Sequence, residues 1–131
     1  MNSPAVDVIA LLAASNLLGD KTGWTGRVSR EPDTPDQCIT VYDTGGYAPF
    51  GYGAEQPTVQ IRIRGMLNGY SQGYAKAKEV RDLLENQENI IINQTEYDAF
   101  ELMGDLTSLG YDEKSRPLFV CNFRLIRKDV N

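Results

Sequence analysis

The stretch Thr58-Val59-Gln60-Ile61-Arg62-Ile63-Arg64 decides the fold class. Apolar and polar side chains alternate at each step, the mark of a strand with one face buried and one face wet. Val59, Ile61 and Ile63 point one way; Gln60, Arg62 and Arg64 point the other. Residues 118–127 repeat the pattern, with Phe119, Cys121, Phe123 and Leu125 on one face and Leu118, Val120, Asn122, Arg124 and Ile126 on the other. A sheet with one apolar face needs a cover, and two segments of helical period supply it.

The first helix opens on Ser3, a good N-cap, with Pro4 at the first helical position and Asp7 near the positive end of the dipole. Val6, Ile9, Ala10, Ala13 and Leu17 recur at helical spacing, Leu11, Leu12 and Leu18 widen the arc, and Gly19 is the expected stop. The second runs over 74–86, with Tyr74, Ala77, Val80 and Leu84 as its stripe, Leu83 alongside, and Lys76, Lys78, Glu79 and Asp82 facing water. Shorter strands are expected at 24–30, 37–43, 90–92 and 97–103. A turn region follows, with residues 112–116 as its polar tip. The expectation is an α+β fold: a mostly antiparallel sheet of about four to five strands with two helices packed on one face. No repeat or linker divides it, so residues 1–131 read as a single domain.

Composition narrows the partners. A net charge of −5 and a pI near 4.7 mean repulsion from phosphate backbones and anionic lipid. No run approaches the ~20 apolar residues that span a bilayer, and the apolar run 8–14 follows Asp7 rather than the positive residues of a secretory leader. The reading is a soluble chain. Cys38 and Cys121 sit in apolar or strand-like stretches and are expected to behave as small buried hydrophobes.

Catalysis has little to stand on. The chain has no histidine, so the commonest general base, metal ligand and neutral-pH switch are missing together. Two separated cysteines without histidine do not make a usual zinc site. Glu96, Asp98 and Glu101 lie close in sequence as carboxylates, but a solvated strand face accounts for them. Gly19-Asp-Lys-Thr lacks the glycine spacing of a phosphate loop. The expectation is a binding protein with no catalytic residues, cofactor or metal.

Residues 44–57 form the most distinctive segment, Thr-Gly-Gly-Tyr-Ala-Pro-Phe-Gly-Tyr-Gly-Ala-Glu-Gln-Pro. Loops this long in compact domains tend to be functional. Tyr47, Phe50 and Tyr52 are suited to docking on a partner; the competing reading is a hairpin loop folded back on its own domain. Charge is also segregated. From Asp82 to Glu113 there are nine acids and no Lys or Arg, whereas the two clearest strands carry Arg62, Arg64, Arg124 and Arg127. Either these are solvated faces, or an acidic flank meets a basic flank head to tail and closes a ring of identical subunits.

Val41-Tyr-Asp-Thr-Gly-Gly-Tyr-Ala-Pro and Pro57-Thr-Val-Gln-Ile-Arg-Ile-Arg-Gly are followed in order by Tyr74-Ala-Lys-Ala-Lys-Glu-Val-Arg-Asp-Leu-Leu, Leu109-Gly-Tyr-Asp-Glu-Lys-Ser-Arg-Pro and Asn122-Phe. Together, over residues 37–127, they resemble the tail terminator family of long-tailed bacteriophages, also labelled minor capsid proteins. The resemblance implies a small α+β virion protein without cofactor or catalysis. It implies a hexameric ring on the finished tail tube, partnered by tail tube protein and by the head-completion (neck) protein. The place implied is the head–tail junction of the virion, with the host cytoplasm during assembly. Tyr47, Phe50, Tyr52, Arg62, Arg64 and Arg124 are the candidate interface residues. An acidic chain suits a lumen through which DNA passes without specific binding, and no membrane is involved. Alternatives are a head-side neck adaptor or stopper, a minor capsid component, or a non-catalytic binding module with the aromatic segment as its lid.

Overall fold

The computed structural model describes residues 1–49, 51 and 53–130. In chain order the elements are α1 (Pro4–Ala14), β1 (Thr25–Val28), β2 (Cys38–Tyr47), β3 (Gln56–Arg64), α2 (Tyr70–Glu85), β4 (Glu88–Ile92), β5 (Thr95–Leu102), β6 (Thr107–Tyr111) and β7 (Pro117–Asp129). The sheet runs β1-β2-β3-β7-β5-β4, and β6 pairs with β7 just beyond the end of β5. All pairings are antiparallel except β1 with β2, which is parallel.

The α+β class is correct, but the expected sheet was too small and too uniform. The described residues form seven strands in a mixed sheet. Two of the differences have clear causes. β6, Thr-Ser-Leu-Gly-Tyr, carries a glycine and no alternating apolar pattern, and it is a strand because β7 pairs with it. The glycine-rich run after Asp43 is also strand: β2 continues to Tyr47 across a register shift between Asp43 and Gly46. Gly46 sits at φ 122°, and a Cβ there would lie 2.4 Å from the Gln56 carbonyl oxygen. Only glycine fits at that crossing.

Both helices cover the same face of the sheet. Ala5, Val8 and Leu12 of α1 and Ala77, Val80 and Leu84 of α2 are buried against Ile39, Val41, Val59, Ile61, Ile63, Phe119, Phe123 and Leu125. Each Val, Leu or Ile so enclosed contributes about 1.5–3 kcal/mol. Buried Gly73 lets α2 approach the sheet, since a Cβ there would stand 3.0 Å from the Phe119 ring.

α1 is shorter than its pattern suggested. Asn16 takes a left-handed conformation at φ 62°, and Leu17 donates its N–H to the Leu12 carbonyl, so the helix ends five residues before Gly19. Leu17 and Leu18 are buried in the turn that follows, whereas Val6 and Ala13, expected in the apolar stripe, are exposed. α2 starts four residues earlier than expected, at Tyr70, and Tyr74 lies half-exposed beside the stripe.

Cys121 points to the helix-covered face in register with Ile61, and Cys38 points to the opposite face in register with Arg64. Both thiols are free and buried, on opposite sides of the sheet. Burial pushes the Cys121 thiol up to about 12. Among the described residues no helix is long and apolar enough to cross a membrane.

Candidate assembly surfaces

The parallel pairing of β1 with β2 forces the chain back across the sheet within a few residues, and this crossing passes over the helix-free face. Its carbonyl oxygens need donors, and two arginines supply them. Arg64 donates Nε to Asp36 O at 2.9 Å and Nη2 to Pro35 O at 3.0 Å. Arg116 donates Nη1 to Asp33 O at 2.6 Å and Nε to Asp112 Oδ2 at 2.8 Å. Arg64 is 3% exposed. A guanidinium presents its donors in a fixed planar fork, which suits several carbonyls of one turn at once. Around this clamp, Arg62 Nε lies 3.4 Å from Glu31 Oε2, and Lys114 Nζ reaches Asp33 at 2.7 Å. The hydrogen bond from Lys114 holds the Asp33 carboxyl below its ordinary range.

Arg62 and Arg64 do share the open face, as their alternation required. Arg64 spends its donors inside the chain, so any effect it has on a neighbour runs through residues 31–36. Arg124, also on that face, pairs with Glu101 and lies 5.6 Å from the centre of the Tyr47 ring. Tyr47 is 54% exposed at the end of β2. Phe50 and Tyr52 lie outside the described residues.

The β2–β3 arm is held at its base on both sides. Thr44 and Thr58 hydroxyls meet at 2.7 Å, and Gln56 Nε2 donates to Ala48 O at 3.1 Å. Glu55 exchanges backbone hydrogen bonds with Arg127 at 2.8 and 3.1 Å, and Arg127 Nε donates to Glu55 Oε1 at 3.0 Å. Arg127 also joins a buried polar cluster that fixes α1. Asp7, fully buried, accepts from Tyr97 Oη at 2.5 Å and from Asn93 Nδ2 at 2.8 Å, with Arg127 Nη1 at 3.8 Å. Burial, and then the hydrogen bond to Asp7, raise the Tyr97 phenol well above its usual value. Sequence reasoning placed Asp7 on the helix dipole; its partners lie about ninety positions away and leave no local trace.

At the other end of β3 lies a surface that sequence reasoning missed. Met66, Leu67, Tyr70, Tyr74, Leu109 and Tyr111 are all large, apolar or aromatic, and exposed. Tyr70 packs between Tyr111 at 6.0 Å and Phe119 at 5.1 Å, and Tyr74 meets Phe119 at 5.9 Å. The available signal was residues 65–75, Gly-Met-Leu-Asn-Gly-Tyr-Ser-Gln-Gly-Tyr-Ala, a charge-free run with four large apolar or aromatic side chains. Contiguous exposed patches of this kind mark contact sites. β3 separates this patch from the β2–β3 turn by about 26 Å at roughly 3.3 Å per residue.

Glu96 and Glu101 are each paired with a cation of β7, Lys128 and Arg124. Among the described residues no group of acids and cysteines is placed to hold a metal ion.

Three comparisons bear on what these surfaces are. The bacteriophage tail terminator protein family matches residues 11–129. No curated protein sequence matches the chain. Among solved structures the fold resembles a chain from the virion of a native gene transfer agent particle, with a TM-score of 0.70 and 14% identity over 96% of this chain and 95% of that one. That likeness is one of fold, and the family match extends across both helices' sheet, from within α1 to the last residue of β7. The chain belongs to the bacteriophage tail terminator family and is a structural protein of the virion tail.

Proposed function

We propose that this protein caps the completed tail tube as a hexameric ring and offers the surface to which the filled head is joined. The observation that carries the reading is the placement of two docking features at opposite ends of β3. One is the β2–β3 turn with exposed Tyr47; the other is the patch around Tyr70, Tyr74 and Tyr111. A joining protein needs two separate contact surfaces facing different partners. The partners proposed are tail tube protein on one side and a head-completion (neck) protein on the other, with DNA passing through the ring unbound. The site of action is the head–tail junction, reached after assembly in the host cytoplasm.

The test is the mass and shape of the purified protein, alone and with tail tube protein, by light scattering and negative-stain imaging. Six-membered rings, free or only on tube ends, are expected. A chain that stays monomeric and leaves tube ends bare overturns the capping role, and rings that bind only head-side protein move it to the neck. Tyr70→Ser with Tyr111→Ser should abolish one of the two dockings while leaving the other.

A further inference from the structure

Among the described residues, nine of the thirteen Lys and Arg side chains stand in ion pairs within the fold. The arginines that β3 and β7 place on the open face, Arg62, Arg64 and Arg124, are all in this set, so the middle of that face offers little net positive charge. Three of the four others gather at β1: Lys21 in the turn before it, Arg27 on it and Arg30 just after it. All three are exposed, and Arg27 Nη1 donates only to its own neighbour's carbonyl, Gly26 O, at 2.9 Å. Asp20 lines the same groove as Arg27, and Glu31, next to Arg30, is paired with Arg62 and Arg64.

Three acids stand at the other side. Among the described residues, Glu85, Glu88 and Asp98 have no cation within ion-pair distance, and they lie where α2 ends and β4 pairs with β5. β1 and β4 are the two ends of the sheet. Among the described residues, three of the four cations without an ion pair therefore stand at the β1 edge, and three acids without one stand at the β4 edge.

Three further features match across the edges. Register puts Arg27, through Thr40, on the open face, and it puts Glu88 and Ile91, through Ala99 and Glu96, on that same face. Ile91 is 66% exposed, an apolar knob beside the acids. Beside Arg27 lies an open groove of about 250 Å³ lined by Gly19, Asp20, Trp24, Thr25, Gly26 and Arg27. Counting the pairings across the sheet, β1 and β4 run in the same direction.

We infer that the β4 edge of one copy seats on the β1 edge of the next, with Glu85, Glu88 and Asp98 facing Lys21, Arg27 and Arg30 and with Ile91 in the groove beside Trp24. A twofold contact of β4 on β4 would oppose acid to acid, so the like-edge alternative is disfavoured. A contact between two different edges is heterologous, and a rotation that preserves strand direction repeats it into a closed ring. The inference rests on the ring reading and supplies the interface that reading lacks.

The test uses Arg27→Glu and Glu88→Arg, each alone, mixed in equal amounts, and combined in one chain. Each single variant sets like charges at every contact, so its assembly midpoint should rise at least roughly fivefold in concentration at low salt. The penalty should shrink as salt screens it. Mixing the two singles restores opposite charge at every contact of an alternating ring, and the combined variant restores it in one chain, so both should assemble like the parent. Thermal melts of the singles should match the parent, since neither residue is buried. Singles that assemble normally, or a mixture that shows no rescue, overturn this interface while parental rings leave the ring reading standing. A parent that forms no ring alone or on tube ends overturns the ring reading itself. Ile91→Ser gives a salt-independent check: it should raise the midpoint at high and low salt alike, and no change at either overturns the knob and groove.

Discussion

Removing one oxygen atom from the core should reveal how α1 is held. In Tyr97→Phe the ring stays, and its packing against Phe100 at 5.5 Å is kept. What goes is the donor to the buried Asp7 carboxylate and the acceptor for Arg127 Nη1 at 3.2 Å. A hydrogen bond to a charged group contributes about 1.5–3 kcal/mol, and a buried carboxylate left short of a donor adds its desolvation cost. Asn93 and Arg127 still face Asp7, which keeps the loss within that range. For 131 residues the unfolding entropy is about 0.28 kcal/mol/K, so the melting temperature should fall roughly 5–11 °C. The assay is a calorimetric melt beside Tyr74→Phe, an exposed ring that should move less than about 1 °C. A Tyr97→Phe melt equal to that control would refute the account, because it would mean that Asp7 is satisfied without the phenol.

Other expectations follow from the same geometry. Gly46→Ala should destabilise by more than about 2 kcal/mol, since it meets both a positive φ and the Gln56 carbonyl, whereas Gly45→Ala, at φ 86° in open space, should cost only about 1–2 kcal/mol; urea melts separate them. Arg64→Met should cost about 3 kcal/mol by stranding the carbonyls of residues 33–36, and proteolysis should then cut within that segment. Asp33 is depressed by Lys114, and Asp105 by the Leu106 N–H and Arg81, so both stay charged to lower pH folded than unfolded. The stability they contribute is present above their ordinary value of 3.8 and is lost as pH falls through the lower folded values. Lys114→Met should flatten the urea-midpoint profile between about pH 5 and pH 2. Cys121, pushed up to about 12 by burial, should resist thiol reagents at neutral pH until the protein unfolds.

What could be read from the sequence was what local periodicity encodes. The residues expected for β3 and β7 were right to within two positions at each end, because alternation fixes both the strand and the face it buries. Ser3 does cap α1, accepting from the Val6 N–H at 3.3 Å. What could not be read was anything decided by a distant partner. β6 is a strand only because of β7, Asp7 is buried only because Tyr97 and Asn93 come to it, and Arg64 looked free because its acceptors are backbone oxygens about thirty residues away. The interface candidates fared the same way. Alternation placed the arginines on the correct face, but only the fold shows that their charge is already answered within the chain, and that Arg27 and Glu88, at the two edges, have no ion pair among the described residues.

The place of β7 in the sheet has a kinetic consequence. It is the thirteen-residue strand that joins β3 on one side to β5 and β6 on the other, and it follows all of them in sequence. Ile61 and Cys121 are register partners sixty positions apart. The β2–β3 and β4–β5 hairpins are local and can form early, but they remain separate, each with an open inner edge, until that long closure is made. Folding should therefore be slow for a chain of this size, in the range of milliseconds to seconds typical of nonlocal sheets. Until β7 arrives, the vulnerable edges are β3 and β5, not the charged edges β1 and β4. Crowded synthesis should thus lead to aggregates built through the middle of the sheet, a different surface from the one used in assembly.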